Sequence, residues 1–139
     1  MTHVQTSDYT ECQMALFKVA RALDTHNPEL AAAQFSEQGT WTWKGQVLQG
    51  RSAIAKALAT RDPEVLTRHV TSNLVCELSA PDTIQAICTL ITFKGEASDA
   101  GQPAQLGPPV SILDYHDTFV YEDGCWRIFK RTSQRVFAA

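Results

Sequence analysis

The chain has 139 residues, of which 44% are hydrophobic, and this excludes a disordered chain and fits one domain with its own core. Its formal net charge is −3 and it contains no basic run, which argues against nucleic acid as a partner. No apolar segment approaches the roughly 20 residues that cross a bilayer, and the first residues lack the pattern of a secretory signal. We therefore expect one cytoplasmic domain over residues 1–139, with no membrane partner.

Two helices are predicted at the start of the chain. Ser7 and Asp8 are the expected N-terminal caps of a helix that runs to about residue 26. Asn27 can cap a second, short helix that begins with Pro28. The first helix has an apolar stripe at helical spacing, formed by Leu16, Val19, Ala20 and Leu23.

Strands dominate the rest of the chain. Trp41 and Trp43 are two residues apart in a predicted strand, so they share one face, and a short helix follows Gly50. If the turn after the next strand centres near residue 82, Cys76 lies opposite Cys88. Four long antiparallel strands are predicted over residues 69–79, 84–94, 110–121 and 125–137.

Helices followed by a meander of strands predict an α+β fold, with the helices on one face of a curved sheet and a cavity between them. On the first long strand, one predicted face holds Val70, Leu74, Cys76 and Leu78. The other predicted face holds His69, Thr71, Asn73 and Val75. Both faces are partly apolar and only 19% of the chain is charged, which favours a homodimer through the outer face of the sheet.

Four segments carry a resemblance to a known family. They are "RALDTHNPELAAAQFSEQGTWTW", "LQGRSAIAKAL", "TRHVTSN" and "YHDTFVYEDGCWRIFKR". Together they resemble the SnoaL-like branch of the NTF2-like superfamily, whose members have a cystatin-like α+β cone. This superfamily includes dehydratases, isomerases, dehydrohalogenases, cyclases and proteins without catalysis, so the resemblance implies the fold more firmly than the reaction.

Within this superfamily the pattern is most similar to the scytalone dehydratase and dehydrochlorinase group. The resemblance implies a catalytic pair made of Asp24, at the end of the first helix, and His69, at the start of a long strand. The chain departs from the group at three positions. Leu23 stands where a dehydratase-type tyrosine would precede the aspartate, Phe93 aligns with a second pocket histidine, and Gln38 replaces a common carboxylate.

Such a pair suits proton abstraction from carbon without a cofactor. Histidine is the residue type best suited to move protons at neutral pH, and a carboxylate that accepts its Nδ1 hydrogen fixes the ring and stabilises the imidazolium. The predicted reaction is that of a lyase or isomerase acting on a small apolar, cyclic or polyketide-like substrate. No metal or other cofactor is expected, because the histidines lack ligand spacing. The predicted walls of the substrate cavity are Leu16, Ala20, Trp41, Trp43, Asn73, Phe93 and Tyr115.

Two other functions fit the same sequence. The cone can hold a small hydrophobic ligand or a partner protein without chemistry, or the chain can be the small subunit of a larger oxygenase. From the sequence pattern alone, His69 also fits a structural role at a strand edge, and Asp24 fits a turn residue. A carboxylate–imidazole contact that faces an open cavity would favour the enzyme.

Overall fold

The structure, a computed structural model, describes residues 3–139, and the first two residues of the predicted domain lie outside this range. The helices are α1 (Thr6–Asp24), α2 (Pro28–Ala32) and α3 (Gly50–Leu58). The strands are β1 (Phe35–Trp43), β2 (Gln46–Gln49), β3 (Val65–Ala80), β4 (Thr83–Glu96), β5 (Ser111–Glu122) and β6 (Cys125–Ala138). None of the helices in residues 3–139 is both long and apolar enough to cross a bilayer.

The six strands form one open sheet in the order β2-β1-β6-β5-β4-β3. Every neighbouring pair is antiparallel except β1 and β6, which run parallel. The helices cover the inner face of this sheet. The predicted α+β class, with helices on a mixed and mostly antiparallel sheet, is therefore confirmed.

Helix α1 buries its apolar stripe against the sheet. Its buried residues are Cys12, Ala15, Leu16, Val19, Ala20, Ala22 and Leu23. Of these, Leu16, Val19 and Leu23 are the large aliphatic side chains, and each contributes about 1.5–3 kcal/mol to folding. The predicted caps were wrong, because Gln5 precedes the helix, and Asp8 instead accepts a hydrogen bond from Trp126 Nε1 at 3.0 Å. This contact joins the start of α1 to β6.

The turn after α1 follows the predicted chemistry. Asn27 Oδ1 accepts a hydrogen bond from the backbone N–H of Leu30 at 3.2 Å, and Pro28 occupies the first position of α2, as predicted. His26 adopts a left-handed backbone with φ of 53°, which reverses the chain between the two helices. The cap and the reversal hold the end of α1, and therefore Asp24, over the inner face of the sheet.

A β-bulge in the middle of β3 reverses its alternation of faces. Asn73 has φ of 56°, in the left-handed region that asparagine tolerates, and the register with β4 shifts between Ser72 and Val75. His69 and Thr71 face inward before the bulge, whereas Leu74 faces inward after it. The predicted faces are corrected accordingly, because one extra residue moves each later side chain to the opposite side.

The hairpin between β3 and β4 also corrects the cysteine prediction. Cys76 lies opposite Ala86, not Cys88, because the register shifts again next to the turn. The Cys76 thiol instead lies near the thiol of Cys12 on α1, and this neighbour, together with burial, raises the pKa of Cys12. This contact adds to the packing of α1 on β3.

The parallel pair of β1 and β6 depends on a close approach at Gly39. A Cβ atom at this position would lie 2.8 Å from the carbonyl oxygen of Ile128, so a larger residue would push the strands apart. The register shifts between Phe35 and Thr40, and Trp41 then lies beside Arg131. The approach thus places a tryptophan and an arginine together on the inner face.

Candidate functional site

Asp24 and His69 are in direct contact beneath the helices. Asp24 Oδ1 lies 2.6 Å from His69 Nδ1, and Asp24 Oδ2 accepts the backbone N–H of His69 at 3.1 Å. The two side chains are only 5% and 12% exposed, respectively. Because a carboxylate accepts hydrogen bonds only, Nδ1 carries the ring hydrogen and Nε2 is the free nitrogen.

The carboxylate of Asp24 is held by further contacts. Thr67 Oγ1 donates to Asp24 Oδ1 at 2.9 Å, and Arg61 donates to the carbonyl of Leu23 at 2.7 Å and to Thr67 Oγ1 at 3.4 Å. Since Thr67 and His69 are two residues apart on β3, they share the inner face and meet the end of α1 together. The acid is therefore fixed from two strand positions and cannot swing away without losing several hydrogen bonds.

These contacts lower the pKa of Asp24. Burial by itself would raise this pKa, but the hydrogen bonds from the ring and backbone of His69, their electrostatic attraction and the hydroxyl of Thr67 outweigh it. Asp24 is consequently ionised at neutral pH. An ionised Asp24 can stabilise a positive charge on His69 when Nε2 accepts a proton.

The shift makes the free energy of unfolding depend on pH. Because the pKa is lower in the folded than in the unfolded chain, where it is about 3.9, Asp24 stabilises the fold above that pH. This stabilisation is lost as the pH falls through the folded-state pKa. We expect Asp24→Asn to lower the free energy of unfolding by about 1–3 kcal/mol at neutral pH, and the difference to shrink below about pH 4.

Urea unfolding at a series of pH values measures this difference. Asp99→Asn, which removes an exposed carboxylate from the segment between β4 and β5, is the matched control at neutral pH and should change stability by less than about 0.5 kcal/mol. A penalty for Asp24→Asn that stays constant down to acidic pH would contradict the contribution assigned to the Asp24 carboxylate.

His69 lies on the wall of a cavity with a volume of about 520 Å³. This is a size typical of small-molecule sites. The apolar and aromatic part of the wall consists of Leu23, Trp41, Trp43, Val65, Leu90, Val110, Leu113 and Tyr115. Hydroxyl side chains on the wall are Thr42, Thr67, Thr92, Ser111 and Ser133. The charged side chains are Lys44, Arg61, Asp62, Lys94 and Arg135.

The sequence-predicted wall residues divide into three groups. Trp41, Trp43 and Tyr115 line this cavity together with His69. Leu16 and Ala20 lie next to it, in a narrow crevice that also touches His69 and has no free volume. They therefore support the ring from the helix side, and the crevice leaves no room there for substrate.

Asn73 and Phe93 lie elsewhere, which corrects two predictions. Asn73 is exposed at the bulge of β3 and lines a separate depression against the first half of α1. On β4, Thr92 lies directly opposite the inward-facing His69, so Phe93 faces outward. Phe93 lines a small outer groove of about 220 Å³ beside residues 104–107.

Arg131 is a buried cation in β6, among several other basic residues of that strand. It is 1% exposed and makes a bidentate pair with Asp117, at 2.8 Å and 3.0 Å. Its guanidinium stacks 3.8 Å from the ring centroid of Tyr115. Burial by itself would lower the pKa of Arg131, but Asp117 and Tyr115 outweigh it and raise that pKa.

The same cluster keeps Tyr115 protonated. Burial raises the pKa of its phenol, and the opposing attraction of Arg131 is smaller. Tyr115 is therefore a hydrogen-bond donor at neutral pH on the wall that His69 shares. Within residues 3–139, no group of three or more histidine, cysteine or acidic side chains is placed to hold a metal ion.

The helices on a mixed, mostly antiparallel open sheet define a cystatin-like α+β domain, with a carboxylate–imidazole pair on the wall of a cavity. The chain belongs to the SnoaL-like domain family, whose model matches residues 4–132. No curated protein matches the chain.

Solved structures share this fold at low sequence identity. A provisionally assigned scytalone dehydratase from Novosphingobium aromaticivorans is 20% identical, with a TM-score of 0.78 over 96% of this chain and 87% of its own. A protein of unknown function with a cystatin-like fold from Nostoc punctiforme is 14% identical, with a TM-score of 0.77 over 96% and 94%. A protein from Catenulispora acidiphila in complex with S-DNPA is 24% identical, with a TM-score of 0.74 over 94% and 95%.

Proposed function

We propose that this protein is a cofactor-independent lyase or isomerase in which His69 is the general base and Asp24 orients it. The observation that carries the proposal is the 2.6 Å contact between Asp24 Oδ1 and His69 Nδ1, with the ring on the wall of a 520 Å³ cavity. A base placed in this way contributes about 10²–10⁴-fold to a proton-transfer rate. Family membership supports the proposal, because the SnoaL-like fold is shared with a provisionally assigned dehydratase.

The proposed chemistry begins at a C–H bond beside an acidifying group. His69 Nε2 takes the proton, and the electron pair of the broken C–H bond moves into a new carbon–carbon double bond. In a lyase, the neighbouring carbon loses hydroxide or another leaving group together with its electron pair. In an isomerase, the π pair of the adjacent carbonyl moves onto its oxygen as the carbon–carbon double bond forms. When the carbonyl forms again, the electron pair of that double bond takes the proton from the imidazolium at a different carbon. Tyr115 is placed to donate a hydrogen bond to the developing oxyanion.

Ring opening of nitrobenzisoxazole tests this proposal with a generic substrate. A base removes the proton of its isoxazole carbon, the nitrogen–oxygen bond breaks, and coloured cyanonitrophenolate forms. We expect saturable acceleration by the protein that naphthalene, as an apolar competitor for the cavity, inhibits. Saturable binding without acceleration would contradict the catalytic proposal and favour a binding module.

We also propose that the chain forms a homodimer through the outer face of the sheet. Val75 lies opposite Ile87, and Val70 lies opposite Ile91, so their side chains form an apolar stripe that only the pair of Ser72 and Thr89 interrupts. Val70 is 46% exposed and Val75 is 56% exposed, which is costly for a face left in water. A second copy offers the same stripe, so an isologous contact covers both.

Sedimentation analysis should give twice the chain mass of 15.4 kDa for the wild type. Val70→Glu places a charge in the stripe and should give monomer. Val47→Glu is the matched control, since Val47 is 65% exposed but lies on β2 at the other edge of the sheet. A monomeric wild-type protein, or a Val70→Glu variant that remains dimeric, would contradict this interface.

A further inference from the structure

Four cationic side chains converge on the wall of the His69 cavity, each from a different part of the fold. Lys44 comes from the turn between β1 and β2, Arg61 follows α3, Lys94 belongs to β4 and Arg135 belongs to β6. Asp62 is the one carboxylate on the same wall within residues 3–139. We call these four residues the cationic rim.

The cationic rim does not follow from the composition of the chain. The sequence has 12 lysines and arginines against 15 aspartates and glutamates, so acidic residues are the majority. Four of the 12 basic residues nevertheless lie on this one wall, with one of the 15 acidic residues. Among the described residues, no member of the cationic rim has a carboxylate oxygen within 4.0 Å.

The order of side chains along the sheet separates the cationic rim from the apolar part of the cavity. The inner face of β4 carries Leu90, Thr92 and Lys94 in succession, which is a change from apolar to hydroxyl to cation. On β6, Ser133 followed by Arg135 gives the same change from hydroxyl to cation. Each step is about 6.6 Å along the strand. The cavity therefore has an apolar part, a band of hydroxyl groups and a charged rim.

Register places this gradient relative to the base. Thr92 pairs with His69 on one side and with Ser111 on the other, so a row of polar groups crosses the sheet at the level of the ring. Lys94 is one inner-face position further toward the rim. A substrate group bound by Lys94 would therefore be separated from a substrate carbon next to His69 by about the width of one aromatic ring.

Like charges gathered in a concave wall repel one another and produce a strong positive potential. Lys44 is partly stabilised by the face of Trp43, with Nζ 4.4 Å from the ring centroid. Lys94 and Arg135 are exposed and carry three and five N–H donors, respectively. An oxyanion that binds between them would relieve the repulsion and use these donors.

From this arrangement we infer that the substrate of the His69 site carries an oxyanion such as a carboxylate, which Lys94 and Arg135 bind while its carbon skeleton contacts Trp41 and Trp43. The inference rests on the proposed function for the identity of the site, and it narrows the apolar substrate class to an amphipathic acid. Arg61 is excluded from the test, because its hydrogen bonds to Leu23 and Thr67 also support Asp24.

Titration calorimetry with naphthoate and with naphthamide tests the inference, since the two probes have nearly the same shape and differ in charge. We expect naphthoate to bind about tenfold more tightly at low ionic strength, because an ion pair near a protein surface has an energy of this order. The preference should decrease when NaCl rises from about 0.05 to about 0.5 M, where screening shortens the range of the charges.

Substitutions in the cationic rim test whether its residues cause the preference for naphthoate over naphthamide. Lys94→Gln and Arg135→Gln should each lower naphthoate affinity about three- to tenfold and leave naphthamide affinity unchanged. Lys130→Gln is the matched control, because Lys130 is exposed on β6 but pairs with Thr118 on the outer face. Equal affinities of wild type for both probes, or an unchanged preference in both rim variants, would overturn the inference.

Failure of this inference can be distinguished from failure of the proposed chemistry. A preference for naphthoate that persists in His69→Ala, with no catalysis in the wild type, would support the rim and contradict the general base. Catalysis that depends on His69, with no preference for the anionic probe, would contradict the rim and leave the base assignment standing. Thermal unfolding of each variant checks that the fold is intact.

Discussion

Replacing His69 by alanine is expected to lower the rate of nitrobenzisoxazole opening by about 10²–10⁴-fold. The physical reason is that Nε2 is the free nitrogen of a ring whose Nδ1 contacts Asp24 at 2.6 Å. Without the imidazole, Asp24 still accepts the hydroxyl of Thr67 at 2.9 Å, so the carboxylate keeps a partner and the fold should survive. The absorbance of the phenolate product measures the rate directly.

His116→Ala is the matched control for His69→Ala. His116 is exposed on β5 and pairs with Thr132 and Ile87, so it faces away from the cavity. Its removal should leave the rate within about twofold of the wild type, since it contributes no base to the site. A His69→Ala variant that is folded and retains the wild-type rate would remove the general base from the proposed mechanism.

Periodicity in the sequence was sufficient to predict the order of helices and strands. Trp41 and Trp43 alternate correctly in β1, and the cap formed by Asn27 marks the start of α2. Such signals are local, because each depends on residues within one turn or one strand. The α+β class followed from them without any knowledge of long-range contacts.

The pair of Asp24 and His69 illustrates a different source of prediction. The two residues are 45 positions apart, and no local pattern states that α1 ends above the start of β3. Resemblance to a family supplied this juxtaposition, and the structure brings the two side chains into contact. Spacing alone could not distinguish His69 from an ordinary strand-edge histidine.

The bulge at Asn73 limited what alternation could predict. Strict alternation along the strand would put Val70 and Leu74 on the same face, but the extra residue at the bulge puts them on opposite faces. Asparagine is a residue type that tolerates φ of 56°, but it also occurs in regular strands, so the sequence signal for a bulge was weak. The misplacement of Asn73 on the cavity wall follows from this.

The cationic rim could have been found by continuing the alternation. Thr92 shares its face with Lys94, and Ser133 shares its face with Arg135, so both cations follow from the inward orientation of His69 once the register is known. The prediction of Phe93 as a wall residue was wrong because Phe93 is next to Thr92 in the strand and therefore lies on the opposite face of the sheet. Register depends on turn geometry, which the sequence left open.

Arg131 could not be recognised as buried from its pattern, because it lies in a strand with several other basic residues. Its burial depends on Asp117 lying directly opposite on β5, with both side chains 1% exposed. Removing one partner of such a pair leaves an uncompensated buried charge, which costs about 3–5 kcal/mol. We therefore expect Asp117→Leu to lower the free energy of unfolding by this amount, as measured by urea denaturation.

Asp114→Leu provides the matched control, since Asp114 is three residues earlier on β5, accepts a hydrogen bond from Thr89 at 3.2 Å, and faces outward. Its replacement should cost less than about 1 kcal/mol. The double variant Asp117→Leu/Arg131→Met removes both charges and should recover most of the loss, because an apolar pair of similar volume is often neutral relative to a buried ion pair. If the free energy of unfolding of the single Asp117→Leu variant lay within about 1 kcal/mol of the wild-type value, Arg131 would have found water or another partner. The buried pair would then not be what supports Tyr115 on the cavity wall.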